Sequence, residues 1–390
     1  MALATGNLHS CALLTSGSVQ CWGDLPNASV LEYDRGGVKI TKYWDYTNIT
    51  VDDAKTEAEF IEQGMSVLKN VFQRQTKNLR KCTVMLSGGY DSRCIAASLK
   101  HFTNVEFDSL TSCSHPKGLY RDAVYARLVA DKLGIRNDRL HEAEHLYETH
   151  LKMFVWVTDG MVAEHLWLMP ILDDDKLQEV NFDGIGGDKF LRPAVFLRPS
   201  ATKANDLSNV KDVALRTDEE LSQVIQEKML KKMLGTSMSE ASVVVKHFRP
   251  DLRQKLAPSD TEVVRALQKI GRHDYRLTIF QAENRMRNLI ALAPNNIIMR
   301  KAYSYMPFLD NEFVEFGLSI PAGLKVQRNL YRRILDKAFP ELKGVPSTNQ
   351  YKGIKDAIKG FLVSQRLNRT LYFLGGLTRG LTFGKPRKQR

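Results

Sequence analysis

The stretch best suited to chemistry is Ser87-Gly88-Gly89-Tyr90-Asp91-Ser92-Arg93. Two adjacent glycines let backbone N–H groups approach an anion with no Cβ in the way, and the hydroxyls of Ser87 and Ser92 add donors beside them. An apolar, strand-like run from Thr83 to Leu86 leads in, and a helical pattern follows from Cys94 to Lys100. A helix starting near Ser92 aims the positive end of its dipole at the same anion. The usual phosphate-loop lysine, G-x-x-x-x-G-K-[ST], is missing. Asp91 would repel a phosphate unless a cation lay between them, and Mg2+ bridging carboxylate and phosphates resolves the conflict.

The elements that must position this loop can be read outward from it. Thr56 and Glu59 form a capping-box signature, and Phe60, Ile61, Val67, Leu68, Val71 and Phe72 follow at helical spacing. Alternating units come next: strand "TVML", its helix, strand "VEFDSLTS", helix "RDAVYARLVADKLG", strand "RLHEA", further helical segments, and strand "EVNFDG". Alternation of this kind predicts an α/β fold, a doubly wound parallel sheet covered on both faces. Ligands bind such sheets at the carboxyl ends of the strands. Two glycine-rich loops, after Leu86 and after Phe182, fall at such ends.

Residues 1–50 read as a separate β-rich segment. "CALLTSGSVQCWG" is a hairpin with Ser16-Gly17 at its turn, and a second strand pair centres on Gly36-Gly37. The first resembles one hairpin of a regulator-of-chromosome-condensation repeat, of which a single copy cannot build a propeller. Beyond about residue 200 the strand signal fades and a mostly helical part is expected to about 380. There Leu221, Val224, Ile225, Met229 and Met233 share one helix face. Residues 381–390 are a basic tail carrying Lys385, Arg387, Lys388 and Arg390.

The net charge of +12 is spread along the chain and is compatible with an anionic small substrate. No apolar run approaches the roughly 20 residues of a bilayer span, so no membrane partner is expected. An odd count of 5 cysteines argues against a disulfide framework and for a reducing, cytoplasmic setting. His141 and His145 stand at i, i+4 with Glu142 and Glu144 nearby, but no third ligand accompanies them, and a surface pair is expected.

The motif S-G-G-x-D-S resembles the pyrophosphate loop of the N-type ATP pyrophosphatases (the PP-loop superfamily). Within it, "SGGYDSR", "FDGIGGDKF" and "MPFLDNEFVEFGLSIPAGLK" together resemble the synthetase domain of the asparagine synthetase family over about residues 60–350. The resemblance implies an ATP-dependent ligase that forms a carbon–nitrogen bond and releases AMP. A carboxylate such as aspartate is adenylylated, then attacked by ammonia or an amine. It implies ATP and Mg2+ as cofactors, with Asp91 and Asp188 holding the metal. It further implies that Leu86, Ser87, Gly88, Gly89, Tyr90, Asp91, Ser92, Arg93, Gly186 and Gly187 line a nucleotide site. The strand end around Ser109 to Ser112 resembles the one that flanks adenine and ribose.

Several positions depart from the family pattern. The glutamate of its second glycine loop, G-E-G-x-D-E, corresponds to Ile185, and the second acid to Lys189. The E-x-R before P-F-L-D corresponds to Tyr303 and Tyr305, and a charge-neutralising lysine falls near Tyr331. Arg328 and Arg332 are the expected catalytic cations in its stead, with Arg333 and Lys325 as further candidates. The resemblance also implies that the family's glutaminase domain is lacking. Residue 2 is Ala2 rather than a nucleophilic cysteine, and "ASVLEYDRGGVKITKYW" resembles only the tail of that domain. Ammonia would then come from solution or from a separate glutaminase. A tRNA-modifying enzyme with the same loop and a catalytically degenerate family member are the alternatives. Nucleic acid is not the expected partner, because the Cys-x-x-Cys of sulfur-transfer versions is absent.

Overall fold

The first long helix begins where the capping box places it. In the computed structural model α1 spans Glu57–Thr76, with Thr56 as N-cap. The Thr56 hydroxyl accepts from Glu59 N at 3.3 Å, and the Glu59 carboxylate accepts from Thr56 N at 2.8 Å. Such a reciprocal cap satisfies two otherwise orphaned donors and stabilises the helix by about 1 kcal/mol. Phe60, Ile61, Val67, Leu68, Val71 and Phe72 are all buried, as their spacing predicts. Each adds about 1.5–3 kcal/mol of apolar burial. The structure describes residues 2–5, 10–13, 19–22, 29–34, 37–112, 119–140, 146–158, 160, 165–191, 259–270, 275–283, 286, 293–326 and 329–348.

After α1 the alternating units follow in order: β6 (Lys81–Met85), α2 (Tyr90–Phe102), β7 (Glu106–Ser112), α3 (Leu119–Leu133), β8 (Asn137–Leu140), α4 (Leu146–Val157), β9 (Val180–Phe182) and α5 (Gly187–Leu191). A last strand, β10 (Tyr303–Tyr305), completes a five-stranded sheet of order β10-β9-β6-β7-β8, parallel throughout. Cys82, Val84, Val180 and Phe182 belong to one buried cluster, while Leu110, Leu140 and Met169 belong to the other. Apolar cores on both faces are the signature of a doubly wound sheet, and the α/β expectation holds. From β6 the chain winds outward through β7 and β8, then returns to place β9 on the other side of β6. This reversal is the topological switch point, where strand ends part and leave a crevice. The two glycine-rich loops follow the two strands that flank it.

Three details differ from expectation. α2 begins at Tyr90, so Asp91 lies inside its first turn; Gly89 serves as N-cap with no side chain to hold the start further along. β8 begins at Asn137, two residues before the expected strand, because its backbone pairs in register with Ser109. β10 falls in the part expected to be helical. It has three residues and pairs with β9 through its backbone, too short a run to carry a period-2 pattern.

Near the N-terminus β1 (Ala2–Thr5), β2 (Ser10–Leu13), β3 (Val19–Trp22), β4 (Ser29–Asp34) and β5 (Gly37–Lys42) form an antiparallel meander in chain order. The expected hairpin is β2–β3 and the second pair is β4–β5, with β1 added at the edge. Ser16 and Gly17, Leu221 to Met233, His141, His145, Arg328 and the basic tail lie outside the described residues. Among the described residues no helix is long and apolar enough to cross a membrane.

Candidate active site

The loop from Ser87 to Gly89 leaves the end of β6 and turns at once into α2. Its backbone groups are bonded within the protein. Ser87 N donates to Ser92 Oγ at 3.0 Å, Gly89 N to Ser87 Oγ at 3.2 Å, and Gly88 N to Asp122 Oδ1 at 3.0 Å. A Cβ on Gly88 would stand 2.8 Å from that same Asp122 oxygen and 2.8 Å from Thr348 Cγ2, so any larger residue would have to displace those side chains. Thr111 Oγ1 donates to Leu86 O at 2.8 Å, tying the strand end that precedes the loop to β7.

Arg93 anchors the loop from beneath. It is 3% exposed. Its Nε donates to Gly89 O at 3.0 Å, Nη1 to Val345 O at 3.0 Å, and Nη2 to Gly88 O at 3.1 Å and Pro346 O at 2.7 Å. Burial draws its pKa down to about 10. Thr348 N donates to Gly88 O at 3.1 Å and closes the same junction. The guanidinium therefore binds two loop carbonyls and two carbonyls of the 345–346 segment, rather than facing an open cradle.

The second glycine loop packs directly on Asp91. A Cβ on Gly184 would lie 3.1 Å from Asp91 Cβ, and one on Gly187 would lie 2.7 Å from Asp91 Oδ1. Gly186 takes φ +99°, in the left-handed region, and Leu309 Cδ2 stands 2.5 Å from where its Cβ would be. That leucine belongs to Pro307-Phe308-Leu309-Asp310, so the third motif backs the second. Asp310 caps the helix Asn311–Ser319 by accepting from Glu312 N at 3.1 Å, and it pairs with Arg74 at 2.7 Å. Asp188 follows Gly187 in the first turn of α5. The three motifs, spread over more than 200 residues of chain, thus meet around Asp91.

Asp91 Oδ1 also accepts from the Tyr331 hydroxyl at 2.8 Å. Tyr331 lies in the first turn of the helix Leu330–Ala338 and is 1% exposed. Of the cations expected here, the three that lie among the described residues have partners of their own. Arg332 Nε is 3.5 Å from Asp336 Oδ2 on its own helix, Arg333 pairs with Glu57, and buried Lys325 donates to Gly317 O, its pKa lowered by burial.

The model of the asparagine synthase family matches residues 65–358. The chain belongs to the asparagine synthase family. At the level of that family it is an ATP-dependent ligase that forms carbon–nitrogen bonds. A repeat model of the regulator of chromosome condensation (RCC1) matches residues 2–27, and no glutaminase domain is matched. No curated protein matches the chain.

This asparagine synthase-family site carries its substitutions in defined places. Ile185 is half-buried and packs against the core, so the loop position that is a glutamate in the family pattern is apolar here. Tyr305 stacks on Phe182 at 5.4 Å, and Tyr303 is 73% exposed on the sheet edge. Asp183, at the carboxyl end of β9, is a carboxylate that sequence reasoning passed over. It accepts from Ile185 N at 3.0 Å, and burial raises its pKa to about 6. Asp122 and Thr348 were missed as well, since each reaches the loop from a distant segment with no local motif to mark it. Tyr331 was noted only as lying near the position of a family lysine, and its hydroxyl bond to Asp91 was not foreseen.

Proposed function

We propose that this chain activates a carboxylate with ATP and transfers the acyl group to ammonia or an amine. The carboxylate oxygen attacks the α-phosphorus, the bond to the β-phosphate bridging oxygen breaks, and pyrophosphate leaves. The nitrogen then attacks the acyl carbon, AMP departs with its oxygen, and the nitrogen loses a proton. The observation that carries this reading is the close packing of Gly187 against Asp91, so tight that a Cβ on Gly187 would lie 2.7 Å from Asp91 Oδ1; Asp188 is the next residue in the chain. A carboxylate at the start of α2 and another at the start of α5 then stand at adjoining strand ends.

This donor set fits Mg2+. Among the described residues no group of three His, Cys, Asp or Glu could hold a metal alone. Nucleotide-bound Mg2+ takes one or two protein carboxylates and completes its shell with phosphate oxygens and water. Asp91 and Asp188 would hold it, and it would neutralise charge on the departing pyrophosphate. The chain's own part is positioning and charge. Ser87, Gly88, Gly89, Tyr90, Ser92, Gly186 and Gly187 shape the cradle, while Leu86 and the β7 end flank the nucleoside. Arg93 holds the loop in place. Arg332 supplies a cation, because an exposed i,i+4 pair is worth at most about 1 kcal/mol and releases its partner easily. Arg328 is a second candidate for that role.

ATP–pyrophosphate exchange with a panel of carboxylates tests the proposal, with Asp91→Ala in parallel. Exchange that needs one carboxylate, Mg2+ and Asp91 is expected. A protein that binds ATP without catalysing exchange would instead be a degenerate family member, a reading that apolar Ile185 favours. Exchange that depends on RNA would turn the reading toward tRNA modification.

A further inference from the structure

The Tyr331–Asp91 hydrogen bond has no counterpart among the motifs. Asp91 belongs to the first glycine motif and packs against Gly184 and Gly187 of the second, and its Oδ1 is held from two sides. Gly187 backs it so closely that a Cβ there would lie at 2.7 Å, and the Tyr331 hydroxyl donates to it at 2.8 Å. The phenol is itself fixed. Tyr331 is buried, the Tyr90 ring meets it edge-on at 6.5 Å, and the Tyr331 hydroxyl also reaches the Cys94 thiol. Asn329, in the left-handed region at φ 48°, turns the chain into the helix that presents Tyr331 to α2.

We propose that Tyr331 is a positioning residue that fixes the plane of the Asp91 carboxylate for a divalent cation. The inference rests on the reading of Asp91 as a metal-bearing residue. A carboxylate turns freely about Cβ–Cγ unless one oxygen is held, and a hydrogen bond to Oδ1 together with the glycine wall selects one orientation. Outer-shell partners of this kind orient the ligand and set metal affinity. A phenol does so without bringing a positive charge beside the cation.

The test is Mn2+ binding to the full chain in the presence of ATP, followed by electron paramagnetic resonance, for wild type, Asp91→Ala and Tyr331→Phe. The phenylalanine keeps the ring and removes only the hydroxyl; thermal melting checks that the fold is retained. Tyr331→Phe is expected to weaken Mn2+ about 10–100-fold. The Mg2+ concentration for half-maximal pyrophosphate exchange should rise in parallel, and ATP affinity without metal should not change. A merely structural tyrosine would lower the melting temperature and leave metal affinity alone. If wild type binds Mn2+–ATP, Asp91→Ala does not and Tyr331→Phe matches wild type, the inference about Tyr331 fails by itself. If wild type binds no metal, or Asp91→Ala binds as well as wild type, both readings fail.

Discussion

Replacing Arg93 by methionine would remove the clamp beneath the loop while keeping most of the side-chain volume. Four buried or half-buried carbonyls, those of Gly88, Gly89, Val345 and Pro346, would lose the guanidinium as a donor, with Gly88 O keeping Thr348 N. Hydrogen bonds from a charged group contribute about 1.5–3 kcal/mol each, so the lower bound for the set is about 6 kcal/mol. Against this stands the cost of keeping the guanidinium out of water. Its pKa falls from 12.5 to about 10. At about 1.4 kcal/mol per unit, that is about 3 kcal/mol. The variant should therefore be destabilised by about 3 kcal/mol net. Urea denaturation followed by tryptophan fluorescence would report this as a lower midpoint at unchanged slope. Arg93→Lys, which keeps the charge but not the planar fork, should fall between the two proteins. ATP affinity should fall with the methionine variant, because Gly88 and Gly89 lose the anchor of their carbonyls. A midpoint corresponding to less than about 1 kcal/mol of change would refute the reasoning, since surface substitutions reach that size without any buried network.

Two further outcomes follow from the second glycine loop. Asp183 has a folded pKa of about 6 against a reference of 3.8, so between those values the native state binds more protons than the unfolded chain. Stability attributable to this group is therefore complete below the reference value and falls as pH rises to about 6, by about 3 kcal/mol in all. Asp183→Asn should remove that fall and be the more stable protein above about pH 6; paired denaturation curves across pH measure it, and a constant difference between the two proteins would count against it. Gly187→Ala places a methyl group 2.7 Å from Asp91 Oδ1 and 2.9 Å from Phe308 Cδ2. It should cost about 1–3 kcal/mol and abolish stabilisation by ATP and Mg2+ in a thermal-shift assay, whereas normal stabilisation would show that the two loops do not need this contact.

The legibility of the sequence varied with the range of the interactions involved. α1 was readable because its capping box and apolar stripe are local, governed by contacts three or four residues apart. The parallel sheet was readable because strands buried on both faces leave apolar runs between helices. β10 was not, since three residues pair with β9 through backbone alone. Within the site, Asp91 and Asp188 were marked by glycines beside them. Asp122 was not marked, because its carboxylate meets Gly88 N across 34 residues of chain. The phosphate role expected for Arg93 could be read from its adjacency to the loop, but the four carbonyls that engage it come partly from a segment 252 and 253 residues away.

By itself, then, the sequence determined the family, the α/β class and the two loops at strand ends, because each depends on residue type at short spacing. Only the tertiary structure decided how those loops are held. It brought Gly184 and Gly187 onto Asp91, set Leu309 behind Gly186, and seated the Tyr331 hydroxyl on Asp91 Oδ1. The physical reason is that hydrogen bonds and van der Waals contacts act over a few ångströms in space. Chain separation along the sequence carries no record of them until the sheet has formed and its switch point has drawn the segments together.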